Sequence, residues 1–149
     1  MERFYLKKLT ANELGYRKGK LTNGQMFYIS KQAVHFFPPL SAEINNDTAV
    51  LEFKVEYQEL PVFLNIVYHN DKFNRAGGTR DEYRIYLNRD IAPDDFYFRP
   101  GDIVVIERLH ESKYKLTRVR EGESGYQELN KEISRSKIRG QHALLDDFE

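Results

Sequence analysis

Tyr68-His-Asn-Asp-Lys-Phe-Asn-Arg-Ala-Gly-Gly-Thr-Arg-Asp-Glu-Tyr-Arg-Ile-Tyr-Leu-Asn-Arg89 is the stretch on which the reading of the fold turns. It opens as the end of one β run, Val62 to Tyr68, and closes as another, Tyr83 to Leu87. Between them Gly77-Gly78 predicts a turn, because glycine reaches positive φ without steric cost. The whole is a long, hairpin-like arm. Past the glycines, Arg80, Glu82 and Arg84 recur at every second residue. In an extended chain that spacing puts all three on one face and Asp81, Tyr83 and Ile85 on the other.

Two arginines beside one glutamate suit base edges in a DNA major groove. An arginine fork donates to guanine O6 and N7, and a carboxylate accepts from cytosine N4. A purely basic arm would attract phosphate without discriminating bases, which makes Glu82 the diagnostic residue. The same trio also fits a mutually satisfied surface ion-pair ladder, a common arrangement of little energetic worth.

Outward from the arm, the rest of the chain is rich in short strands. Phe4 to Leu9 and Gln25 to Ser30 are predicted strands, and the polar, glycine-jointed segment from Thr10 to Gly24 links them as a second arm. Lys31 to Phe37 has room for about two helical turns before Pro38-Pro39 stops them. Leu51 to Tyr57 alternates apolar and charged residues, as a half-buried strand does. Pro93 to Phe98 suggests a helical turn. Arg99-Pro-Gly-Asp102 launches the apolar strand Ile103 to Ile106, which turns at His110 to Lys113 and returns as Tyr114 to Val119. Tyr126 to Ile138 is an amphipathic helix, and residues 141–149 are expected to be a tail or a linker to a further domain. Many strands, few helices and no βαβ rhythm predict a single, mainly β barrel or sandwich domain over residues 1–140.

Composition narrows the function. The chain has 149 residues and no cysteine, which excludes disulfides and thiolate metal sites. Its N-terminus has no signal-peptide pattern and no apolar run approaches a bilayer span, so a cytoplasmic protein without membrane partners is expected. Formal net charge is zero, but Lys7, Lys8, Arg17, Lys18, Lys20 and Lys31 face only Glu13 in their part of the chain. That distribution suggests one basic face. Tyr16-Arg17-Lys18-Gly19-Lys20 suits phosphate contacts, or is simply a solvated loop.

Other chemistries find less support. His35, His69, His110 and His142 are scattered and lack zinc spacing, no serine sits in a nucleophile-elbow motif, and no glycine run matches a nucleotide-binding loop. Pro93-Asp94 with Glu111-Ser112-Lys113 satisfies a loose metal-dependent nuclease pattern, which requires both carboxylates close enough to hold one cation. Phe36-Phe37 and Phe96-Tyr97-Phe98 are better suited to core plugs than to base stacking. A protein-interaction β barrel is the third alternative.

Tyr5-Leu-Lys-Lys-Leu-Thr-Ala-Asn-Glu-Leu-Gly15, Tyr28-Ile-Ser-Lys31 with Phe36-Phe37-Pro38, Ile66-Val-Tyr-His-Asn70 and Gly78-Thr-Arg-Asp-Glu-Tyr-Arg-Ile85 together carry a resemblance. Over residues 4 to 89 the chain resembles the N-terminal effector domain of EcoRII-like (UbaLAI-like) type II restriction endonucleases. Arg99 to Ile106 is similar to a strand start of plant B-three-type DNA-binding domains, which share that fold. The resemblance implies a seven-stranded DNA-binding pseudobarrel with short helices, whose two arms grip the major groove of double-stranded DNA. It further implies a monomeric, non-catalytic recognition domain of a restriction-modification system, specific for a CCWGG-type site. Cleavage would fall to a covalently linked hydrolase domain using magnesium, and this domain itself would need no cofactor.

Family base readers match Arg80, Glu82 and Arg84, while a family lysine falls on Gly78, so that contact is missing here or passes to Lys72 or Arg75. Asn70, Thr79 and Asp81 complete the expected contacts of the central arm. Arg17, Lys18, Lys20, Asn23, Gln25 and Tyr28 are those of the first.

Overall fold

The computed structural model describes residues 2–17, 20, 21 and 24–146. Ten strands and short helices follow in the order β1 (Phe4–Lys8), β2 (Tyr16–Arg17), β3 (Lys20–Leu21), β4 (Met26–Ile29), a 3-10 helix (Lys31–Phe36), β5 (Thr48–Lys54), β6 (Val62–His69), α1 (Asp71–Asn74), β7 (Glu82–Tyr86), β8 (Ile103–His110), β9 (Lys113–Val119), α2 (Tyr126–Arg135) and β10 (His142–Leu145). Eight strands form one curled sheet in the order β10-β1-β8-β9-β5-β6-β7-β4, and β2 with β3 forms a separate ribbon. The fold is therefore mainly β with short helices, as expected, with eight strands in the main sheet where the resemblance implies seven.

Strand periodicity fixes which face is buried. Along β6, Val62, Leu64, Ile66 and Tyr68 point inward while Phe63 and Asn65 are exposed. A one-residue slip would exchange the two sets, so the register is strongly specified. Val62, Leu64 and Ile66 join Leu51 and Phe53 of β5, Ile85 of β7, and Phe36, Phe37, Phe98 and Tyr114 in the main core. A second core lies under α2, where Tyr126, Leu129 and Ile133, spaced 3 and 4 apart, cover Leu6, Ile103 and Ala143. Full burial of a leucine or isoleucine such as Leu129 or Ile133 is worth about 1.5–3 kcal/mol.

Three expectations need correction. Residues 142–145 are not a tail: β10 pairs with β1 from Phe4↔Leu145 to Lys7↔His142 and is the eighth strand of the sheet. His142 is buried, its Nδ1 2.5 Å from the Tyr5 hydroxyl. The strands flanking the first arm do not pair with each other, because β1 lies between β10 and β8 while β4 pairs with β7. Within that arm it is the short β2–β3 ribbon that pairs. Pro93 to Phe98 is a series of turns and bends instead of a helical turn.

Candidate nucleic-acid interface

The central arm is built on β6 and β7, which pair from Ile66↔Ile85 to His69↔Glu82. Its tip is not a bare turn but the single helical turn α1, and Asn70 roots it. The Asn70 side chain is fully buried: Nδ2 donates to the carbonyls of Ser41 (3.0 Å) and Ile44 (2.8 Å), and Oδ1 accepts from the Asn46 amide (2.8 Å) and from Asn74 Nδ2 (3.0 Å). An amide with all this capacity used inside the protein has nothing to offer DNA. Asn70 is scaffold, not a contact residue.

The glycines explain the rest of the tip. Gly77 has φ +77°, and at Gly78 a Cβ would stand 2.1 Å from the Asp71 carbonyl oxygen. Position 78 has no room for a lysine in this arm. Asp71 Oδ1 accepts from the Arg80 amide at 2.6 Å, and the Lys72 amide donates to the Arg80 carbonyl at 3.2 Å, so α1 lies against the start of the trio. Lys72, Arg75 and Thr79 are exposed around it.

The structure brings Arg80, Glu82 and Arg84 together. Arg80 Nε donates to Glu82 Oε1 at 3.2 Å and Arg84 Nη2 donates to the same oxygen at 2.7 Å. Their side chains are 39%, 32% and 21% exposed, so the ladder faces outward from the sheet. Arg84 is flanked across the β4–β7 pair by Tyr28, whose ring centroid is 5.1 Å from the guanidinium carbon. Two residues missed by sequence reasoning complete this face. His69 stands opposite Glu82 in the register, and its Nε2 lies 2.6 Å from the Tyr86 hydroxyl. Burial, then the positive charges of Arg80 and Arg84, pushes the His69 pKa below the usual histidine range. The β alternation that singled out the trio also places Tyr86 on its face.

Asp81 takes the opposite face, as its place in the alternation predicts. Its Oδ1 accepts from the Tyr68 hydroxyl at 2.6 Å and its Oδ2 holds Lys31 Nζ at 3.0 Å. The Tyr68 hydrogen bond is the main influence holding its carboxyl below the usual range. Tyr68 stacks on Tyr83 at 4.1 Å with planes 7° apart, so Asp81 braces the arm from behind.

The first arm is organised by Glu13, the lone acid of its basic stretch. Glu13 and Lys7 are both buried, with Nζ and Oε2 2.7 Å apart. Glu13 also accepts from the Thr10 amide and hydroxyl at 3.0 Å each and from the Tyr28 amide at 2.7 Å, tying β1, the loop and β4 together. Burial lowers the Lys7 pKa, and the Glu13 charge opposes that effect. Lys7 therefore does not belong to a basic surface. Gln25 Nε2 donates to the Leu14 carbonyl (3.2 Å) and the Asp95 carbonyl (2.9 Å), holding the loop closed from inside. Lys18 and Asn23 lie outside the described residues, as do the side chains of Arg17 and Lys20.

The nuclease pattern is not assembled. Asp94 lies in the loop before β8, where its Oδ1 accepts from the Phe96 amide, while Glu111 and Lys113 lie at the turn beyond the other end of β8. Among the described residues no three His, Asp or Glu side chains converge as metal ligands. Phe36, Phe37 and Phe98 are core residues as expected, whereas Phe96 is 56% exposed with its ring 6.3 Å from that of Tyr16.

The N-terminal domain of Helicobacter pylori LlaJI.R1 shares this fold. The superposition has a TM-score of 0.61 at 16% sequence identity and covers 98% of this chain and 99% of that one. At this identity the likeness concerns the fold. No protein-family model matches the chain, and no curated protein does. Among the described residues no helix is long and apolar enough to cross a membrane.

Proposed function

We propose that this chain is a sequence-specific duplex-DNA-binding domain, the non-catalytic recognition module of a type II restriction endonuclease. The observation that carries the reading is the Arg80–Glu82–Arg84 ladder, displayed outward on an arm whose tip is fixed from within. Arg80 and Arg84 read guanines with bidentate forks, and Glu82 accepts from a cytosine amino group. In the free protein the three side chains hold one another in place, and on DNA each exchanges its partner for a base. Lowering the cost of ordering side chains before binding favours affinity.

Lys72, Arg75 and Thr79 supply phosphate and sugar contacts around the tip. Arg17, Lys18, Lys20 and Asn23 do the same on the first arm, while Tyr28 orients Arg84. Fold likeness to the N-terminal domain of LlaJI.R1 supports a recognition-module role, as does the resemblance to EcoRII-like effector domains. Cleavage belongs to a linked domain and its magnesium.

A gel-shift titration with a CCWGG duplex and a scrambled control tests the reading, at two salt concentrations with and without magnesium. Tight, sequence-dependent shifting without cutting is expected. Glu82→Ala should relax the preference at one base pair, and unchanged discrimination in that variant would remove Glu82 from the readout. No binding even at low salt would sink the DNA-binding reading.

A further inference from the structure

Phe73 stands at the end of the central arm with its side chain 54% exposed, although the turn that carries it is fixed on all sides. Asp71 Oδ1 holds the Arg80 amide, Asn74 Nδ2 donates to the carbonyls of Ala42 (2.8 Å) and Asn70 (3.0 Å), and the Phe73 amide itself donates to the Asn70 carbonyl at 3.0 Å. Gly78 closes against the Asp71 carbonyl with no space for a side chain. A backbone so constrained determines where this ring points. The ring is held in solvent by a fixed backbone beside the ladder, where a ligand reaching Arg80 can meet it.

The surroundings say with what. Lys72 Nζ lies 5.6 Å from the ring centroid, Arg75 and Thr79 are exposed, and the backbone of Lys72 is hydrogen-bonded to that of Arg80. Phe73 therefore sits on the turn that is hydrogen-bonded to the first arginine of the ladder, among the exposed cations Lys72 and Arg75. An aromatic ring gains affinity where it covers apolar surface. In a major groove the apolar group on offer is the C5-methyl of a pyrimidine.

Resting on the DNA-binding reading, we infer that Phe73 is a further specificity-determining residue, packing on a pyrimidine C5-methyl group next to the base pair read by Arg80. Thymine always carries that methyl and cytosine carries it when 5-methylated; a phenyl ring meets the same group in either.

The test starts from duplexes enriched out of a random pool by the full chain. Each thymine of the enriched site is then replaced singly by deoxyuridine, and each cytosine by 5-methylcytosine, with Kd measured by fluorescence anisotropy. One position is expected to change Kd about fourfold per methyl group, the scale of one buried methyl. A loss at a thymine identifies thymine as the source, and a gain at a cytosine identifies the methylated base. Phe73→Ala should make that position indifferent to the methyl while Arg80-dependent discrimination persists, and Phe73→Leu should keep the methyl response. If no sequence is enriched, the DNA-binding reading falls and this inference with it. If a site is enriched but no position is methyl-sensitive, or Phe73→Ala responds like the parent chain, the role of Phe73 alone is overturned.

Discussion

Two carboxylates in this protein sit beside cations at nearly the same distance, yet they have different jobs. Glu13 meets Lys7 at 2.7 Å with both side chains buried, and Glu82 meets Arg84 at 2.7 Å on an open face. Around Glu13 every partner is part of the scaffold: a strand lysine, a loop threonine and the backbone of β4. Around Glu82 the partners are two arginines that can turn to something else. Burial, not separation, decides which pair is a fixed joint and which is an exchangeable surface, because water compensates a broken pair only where it can reach it.

Breaking the buried joint should have the largest effect. Glu13→Ala strands an ammonium group in the interior and is expected to cost about 3–5 kcal/mol of stability in urea unfolding. Replacing both partners together, Lys7→Met with Glu13→Leu, should recover much of that loss. A single variant as stable as the parent would mean that Lys7 escapes to solvent.

The buried region should also respond to acid. Burial, followed by the nearby Lys7 charge, pushes the His142 pKa down to about 3 from an ordinary 6.5. Between these values the unfolded chain holds a proton that the folded chain refuses. The stability contributed by His142 is complete above pH 6.5 and is lost as pH falls. At 1.36 kcal/mol per pH unit this amounts to about 2 kcal/mol between pH 6.5 and 5. Urea midpoints at pH 7 and 5 should therefore separate, and His142→Gln should remove most of the difference. Coinciding midpoints in the parent chain would contradict a buried neutral imidazole.

The smallest change in stability belongs to the open ladder. Arg84→Ala should shift the unfolding free energy by no more than about 1 kcal/mol, while weakening binding to the preferred duplex by about 1–3 kcal/mol. A large loss of stability together with unchanged binding would reverse the roles given to the two carboxylates.

Much of this was legible in the sequence because it is local. The two-residue period found β5, the β run from Val62 found β6, the apolar run at Ile103 found β8, and alternation alone put Arg80, Glu82 and Arg84 on one face. What escaped depends on partners distant in the chain. His142 to Leu145 is four residues long and becomes a strand only because β1 offers it an edge. Asn70 looked like one more polar residue of an arm until loops from Ser41 to Asn46 closed over it. Glu13 counted as a stray charge among lysines, since no local pattern reports that a lysine six residues earlier turns inward with it. The α1 turn was hidden because the pair of glycines marked a bend without revealing what packs against it.

The place of β1 in the sheet also governs how the chain reaches this shape. Phe4 pairs with Glu107 on one side and Leu145 on the other, so the first strand made is flanked by two of the last. Neither neighbour exists until most of the sequence is available, and closing such long loops is slow. Folding should therefore run from the β8–β9 and β6–β7 hairpins outward, over milliseconds to seconds, with the amino-terminal strand inserted late. Until then Leu6 and Tyr5 have no core, and α2 has only Ile103 of its three floor residues to rest on.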